Sequence, residues 1–322
     1  MPTKTISGYG GALSLRSKGD YGIGAVGEPR IVSTLQNWNL SYNVAVQEKF
    51  ASNTGRFGVQ MPGIKSFQGS YSRYATVPME ELGKTYLFNG YAGHTVKVNN
   101  VQRGLHYRGA VLITGLEITY NWESRDANSY TTNFISNWCE TGDELKVVEE
   151  AALLDTPSAA NPRTFMQPGS NGIRFQRLND NGQPIGSWAN LCVKNCTLNF
   201  SIQPIIDNNS CSGEYQHVLE GGNISCGINA TVSSSNFDDV ADIGTNLLMR
   251  IYPSICDANA FWEFCALTNV SMSNLSVDVE GGGAVSFTLQ GKYNINSGFC
   301  STVLGYIIDP MNRYWAGAAA GG

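Results

Sequence analysis

Ionised side chains are scarce. Lys and Arg total 21 and Asp and Glu 26 among 322 residues, and charged residues make up 15% of the chain. A basic excess is missing: the formal net charge is −5, so the surface as a whole does not carry a nucleic-acid clamp. Histidine is nearly absent, with His94, His106 and His217 far apart. Long apolar runs are lacking too. Ala110 to Ile113 and Ala151 to Leu154 are strand-length, against the roughly 20 residues a membrane helix needs. The N-terminus shows no signal-peptide apolar stretch, so the chain is expected to be made and kept in a cytoplasm, with no membrane partner.

Chemical motifs are equally sparse. GxSxG, HExxH and a P-loop are absent, and no Ser-His-Asp triad stands out around the three histidines. The reading is therefore of a protein that is not an enzyme, with no catalytic, cofactor-binding or metal site. The eight cysteines are Cys139, Cys192, Cys196, Cys211, Cys226, Cys256, Cys265 and Cys300. The nearest approach to zinc spacing is Cys192-x-x-x-Cys196, with no matching second pair, so they read first as small buried apolar residues. Disulfide formation after release is the other reading. Glu80/Glu81 and Asp238/Asp239 could pair for acid–base work or a cation, but a helix start explains them more simply. Gly281-Gly282-Gly283 reads as a hairpin turn before a strand, not a phosphate cradle. Asn-x-Ser/Thr matches, among them Asn39, Asn195 and Asn229, read as the polar faces of strands. Trp38, Trp122, Trp138, Trp188, Trp262 and Trp315 could form a sugar platform, although Trp38 and Trp122 fall in strands that favour packing.

What the sequence has in quantity is glycine (36 residues), small polar residues and strict two-residue alternation. Leu40, Tyr42, Val44 and Val46 alternate with Asn39, Ser41, Asn43 and Ala45. Leu198, Phe200 and Ile202 alternate with Asn199, Ser201 and Gln203. Leu275, Val277 and Val279 do the same with Asn274, Ser276 and Asp278. Period two puts one face on a core and the other on solvent or a partner. The chain is expected to be mainly β.

The strands also repeat. A shift of 158 brings Leu40 onto Leu198, Tyr42 onto Phe200, Met61 onto Leu219 and Gly69 onto Gly227. A shift of 157 brings Ile118 onto Leu275, Trp122 onto Val279 and Tyr130 onto Phe287. A shift of 161 sets Gly83 to Phe88 against Gly244 to Met249. The expectation is two tandem β-barrel or sandwich units, each with one short helix near Pro78 to Leu82 or Asn236 to Asp242. The expected division is an N-terminal arm (1–32), a first unit (33–138), a connector (139–188), a second unit (189–298) and a C-terminal tail (299–322). The connector should open with an amphipathic helix, Asp143 to Leu154, on Leu145, Val147, Val148, Ala151, Leu153 and Leu154. Charge differs between the halves. Residues 1–160 carry 14 basic and 14 acidic side chains and the remainder 7 and 12, so the second half holds the full −5.

This pattern resembles the tail tube proteins of long-tailed phages, which are similar to type VI secretion tube proteins. The resemblance is carried by Gly63 to Ser72, Leu112 to Tyr120 and Ala284 to Gly291, and covers residues 33 to about 298 as architecture. It implies a structural virion protein that assembles with itself into rings and a stacked tube for DNA ejection. A doubled unit implies three chains per ring, standing as a pseudo-hexamer. It also implies tape measure, terminator or baseplate proteins as partners, DNA passing without specific binding, and residence in the virion tail. Residues 1–32, the connector and the Gly55 and Gly213 loops are the expected ring-to-ring contacts. Other readings are a head decoration, baseplate or fibre module, a carbohydrate-binding β-sandwich, and a β-sandwich hydrolase.

Overall fold

The structure is a computed structural model. It describes residues 11–19, 22–32, 34–49, 59–75, 80–98, 101–151, 172–179, 181, 183–191, 193–233, 247–252, 261–266, 271–276, 286–292, 298–301 and 306–308. The chain is mainly β, with large antiparallel sheets and no α-helix among the described residues.

The first half contributes eight strands. They are β1 (Ala12–Lys18), β2 (Ala25–Ile31), β3 (Leu35–Lys49), β4 (Val59–Tyr74), β5 (Thr85–Val98), β6 (Val101–Asn121), β7 (Ser129–Ser136) and β8 (Lys146–Ala151). The 21-residue β6 organises them. Its first part pairs with β5 and β8, and its second part with β7 and, beyond that, with the second half of the chain. Two strand sets therefore share β6: β2-β1-β5-β6-β8 and β3-β4-β7-β6. Their apolar faces meet. Phe88 of β5 lies 4.9 Å from Phe134 of β7 and 6.0 Å from Trp38 of β3, ring centre to ring centre. Leu13, Tyr71, Tyr86, Ile113, Tyr120 and Tyr130 fill the rest of this core.

The second half contributes ten strands. They are β9 (Ile173–Leu178), β10 (Pro184–Leu191), β11 (Val193–Ile206), β12 (Val218–Ser233), β13 (Leu247–Ile251), β14 (Phe261–Ala266), β15 (Ser271–Ser276), β16 (Ser286–Lys292), β17 (Gly298–Ser301) and β18 (Tyr306–Ile308). The pairing order is β10-β9-β13-β14-β17-β18 in one set and β11-β12-β16-β15 in the other. These orders parallel those of the first half, with β14 and β15 standing where the single long β6 runs.

The irregularities parallel each other as well. The β3–β4 register shifts between Leu35 and Asn37, and the β11–β12 register between Val193 and Asn195, 158 residues on. In the β1–β2 pair Arg16 stands across from a bulge of Gly27, Glu28 and Pro29; in β9–β10 Gln176 stands across from Gly186, Ser187 and Trp188. Arg16 Nε donates to the Gly27 carbonyl at 2.7 Å, and Gln176 Nε2 donates to the Gly186 carbonyl at 2.6 Å. Both glycines hold a left-handed backbone, φ +72° and +75°, which costs a side-chain-bearing residue about 1–2 kcal/mol. The turns close alike, with Gly19 N–H on Gly24 C=O and Asn179 N–H on Gln183 C=O.

Several expectations need correction. The amphipathic helix over Asp143 to Leu154 is not formed in its described part. Lys146–Ala151 is strand β8, paired with Arg103 to Arg108 of β6. The apolar spacing suits a helix, but a lone 12-residue helix is marginal in water. The edge of β6 offers backbone partners, and β-branched Val147 and Val148 fit a strand. Arg108 and Glu150 add an ion pair across it. The short helix at Pro78 to Leu82 is a turn over Glu80 to Gly83, with Pro78 and Met79 outside the described residues; the second, at Asn236 to Asp242, lies wholly outside them. The arm at 1–32 contains β1 and β2, which extend the sheet through β5. Leu13 and Leu15 are buried, so removing that segment strips the core. The connector contains β8, β9 and β10, and the tail contains β18 and most of β17.

Candidate functional site: a polar sheet face and two open edges

Among the described residues, one strand pair joins the two halves. Asn195 to Ser201 of β11 run antiparallel to Asn121 to Gly115 of β6. The result is one antiparallel ladder, β3-β4-β7-β6-β11-β12-β16-β15. Alternation gives this ladder two unlike faces. Trp38, Tyr71, Phe134, Leu116, Leu198 and Phe200 point to the core, and residues between them point away.

The outward face is polar and nearly uncharged. One cross-strand row runs Asn39, Ser70, Asn133, Gly115 and Ser201. The next runs Asn37, Ser72, Thr131, Glu117 and Asn199. Neighbours satisfy each other. Asn39 Nδ2 donates to Ser70 Oγ at 2.8 Å, Ser70 N–H donates to Asn39 Oδ1 at 3.2 Å, and the Ser72 and Thr131 hydroxyls share a hydrogen bond of 2.8 Å. A shallow concavity of about 320 Å³ lies here, lined by Asn39, Ser41, Gln68, Ser70, Thr114 and Asn133 among others. Amides and hydroxyls of this kind offer water many partners and offer a phosphate chain few cations.

Behind the junction, the loop after β11 locks onto the first half. Lys65 N–H donates to the Glu214 carbonyl and Gln216 N–H to the Lys65 carbonyl. The Lys65 ammonium pairs with the Glu214 carboxylate, which holds that carboxyl below its ordinary range. Buried Asn137 bridges both halves, donating to Thr85 Oγ1 at 3.0 Å and accepting from Val218 N–H at 2.9 Å.

The ladder has two open ends. Among the described residues β3 pairs with β4 alone and β15 with β16 alone. Other strands carry exposed apolar side chains at matching places: Val26 on β2 and Ile185 on β10, Met61 on β4 and Leu219 on β12.

The groups singled out for chemistry are spread apart and used structurally. Glu80 is buried and accepts the Tyr130 hydroxyl at 2.7 Å; burial, with Glu80 nearby, pushes the Tyr71 hydroxyl well above its ordinary value. Glu81 reaches Lys84 at 3.3 Å. His106 Nε2 donates to the Ala151 carbonyl at 2.8 Å, fastening β8 to β6. His217 takes part through its backbone N–H, donating to Asn208 Oδ1, and the side chain of His94 is outside the description. Cys196 is buried, Cys139 half-buried and Cys211 exposed, all as free thiols. The other cysteine side chains, Asp238/Asp239 and Gly281 to Gly283 lie outside the described residues. No group of three or more His, Cys, Asp or Glu could hold a metal among the described residues.

Sequence reasoning missed one buried cluster. The Lys18 ammonium is fully enclosed, 2.6 Å from Asp143 Oδ1 and 3.1 Å from Glu140 Oε1. Asp143 also accepts the backbone N–H groups of Cys139 and Glu140. The cluster pins β1 to the segment before β8, and no local spacing signals a pair 125 residues apart.

Comparison of the sequence with protein-family models returns no match, and comparison with curated proteins returns none.

Proposed function

We propose that this chain is a self-assembling structural protein of a long-tailed phage: a tail tube subunit whose two halves are copies of one unit. Three chains close a ring of six quasi-equivalent units, and rings stack into a conduit for DNA. The observation that carries this reading is the strand-for-strand correspondence of the halves, extending to the Gly27 and Gly186 bulges and their hydrogen bonds. Matched exposed residues support it. Val26 with Ile185, and Met61 with Leu219, repeat the same apolar contact twice per chain, as an assembly of equivalent positions requires. The Asn/Ser/Thr face suits the inner wall, because it gives a sliding polyanion no string of cations to grip. Tape measure, terminator and baseplate proteins would meet the two ends of the tube, in the virion tail. Non-enzymatic function follows from the same reading.

Electron microscopy of the purified chain, with native mass on the same sample, tests it. Rings or tubes built from multiples of three 34.8 kDa chains are expected. A monomer that stays monomeric as concentration rises overturns it. Particles with closed but unstacked rings, or with another shape, would move the chain to a different virion part.

A further inference from the structure

We infer that β3 of one copy pairs antiparallel with β15 of the next, in the register of the internal β6–β11 junction. This rests on the reading that the chain assembles with itself, and names where and how. The ladder runs β3-β4-β7-β6 and then β11-β12-β16-β15, so β3 holds the place of β11 and β15 the place of the second part of β6. At the internal junction those two kinds of edge meet. At the outer ends the same two kinds are left, among the described residues, with a partner on one side. An open strand edge presents a row of backbone donors and acceptors to any complementary strand. Here the complementary strand is the far end of the same chain, carrying the edge that the internal junction already uses.

The core-facing side of β3 gives a second, independent observation. Tyr42 is 49% exposed, whereas Phe200, 158 residues on, is 1% exposed because β6 lies beside it. The β3 edge thus shows an aromatic side chain at the position that the internal junction covers. Internally, Leu198 stands across from Ile118 and Asn199 from Glu117. Carrying these pairs over by the 158 and 157 shifts sets Leu40 across from Leu275 of the next copy, and Ser41 across from Asn274. The contact joins unlike edges, so it is head to tail. It closes to a ring if the rotation closes, and otherwise grows as a helix.

Cysteine cross-linking tests the register. The Leu40→Cys/Leu275→Cys chain, with Cys211→Ser to remove the one exposed thiol among the described residues, is oxidised mildly after assembly, and the same chain without the two new cysteines serves as the control. A reducible ladder of linked chains is expected, ending at the closed ring. The Leu40→Cys/Ser271→Cys chain, displaced by four residues, should give none. Hydrogen exchange on the unaltered chain guards against variants that misfold: β3 and β15 amides should gain protection together on assembly. An assembly by native mass that lacks the Leu40–Leu275 link, or whose β3 and β15 amides stay unprotected, overturns the pairing and leaves self-assembly standing. An unaltered chain that remains a monomer overturns both.

Discussion

Tyr42 and Phe200 stand at corresponding points of β3 and β11, yet one is half-exposed and the other sealed beneath the β6 edge. Their substitution should separate folding from assembly. Phe200→Ala empties a packed site and should cost about 3–5 kcal/mol. Tyr42→Ala should cost the isolated chain under about 1 kcal/mol, in the range of surface changes, while weakening assembly. Chemical denaturation and native mass on both variants check this. Equal loss of stability in the two would contradict it.

The paired bulges make a matched prediction. Gly27 and Gly186 have left-handed backbones with open space where a Cβ would lie, so the penalty for alanine is conformational, not steric. Gly27→Ala and Gly186→Ala should each destabilise by about 1–2 kcal/mol. Gly69→Ala should be worse, since its Cβ would sit 2.2 Å from the Asn39 carbonyl oxygen and 2.7 Å from the Phe134 ring. Urea midpoints of the three variants give the comparison.

Strand alternation, and with it the β class and the polar character of one face, was legible in the sequence. Asn39, Ser41, Asn199 and Ser201 already read as one side of strands, and they line the face described here. The helix over Asp143 to Leu154 was not resolved correctly, because Val147 and Val148 also fit a helical stripe and nothing local announces the β6 edge that captures them. The β1–β2 and β9–β10 correspondence was hidden by divergent side chains. Leu13 and Leu15 answer Ile173 and Phe175 in character alone, and the common feature is a glycine conformation that sequence does not print. The open edges required the topology, since β3 and β15 look like any other strands until their neighbours are known.

Lys18 is enclosed by Asp143 and Glu140, so removing its charge strands a buried carboxylate. Lys18→Met should cost about 3–5 kcal/mol, and Lys18→Met with Asp143→Leu should recover much of that. Three ion-paired glutamates also set an acid limit. Lys18 holds the Glu140 carboxyl below its ordinary value, as Arg108 does for Glu150 and Lys65 for Glu214. Their contribution is fully present above the unfolded carboxylate pKa, about 4.3, and is lost as pH falls through the lowered folded values. Melting temperature should fall on acidification below about pH 4, and less steeply in the Lys18→Met chain.

Thiol reactivity offers a check that needs no mutation. Burial, with the Asp143 carboxylate nearby, pushes the Cys139 thiol up to about 12, and Cys196 is sealed in the core. Cys211 is exposed. Iodoacetamide at pH 8 should modify Cys211 and spare Cys139 and Cys196 until the chain unfolds. Peptide mapping by mass spectrometry reads the sites, and early alkylation of Cys139 would contradict the packing around it.

On assembly, the edge left open at one end of the ladder should be filled by the edge left open at the other. An electron cryo-microscopy map of the assembled particle at strand resolution tests it most directly. The expected map shows an unbroken antiparallel ladder, with β15 of each chain beside β3 of the next and polar rows such as Asn39–Ser70–Asn133 facing the lumen. A ring in which β3 and β15 both face solvent, or in which chains meet through other strands, would contradict it.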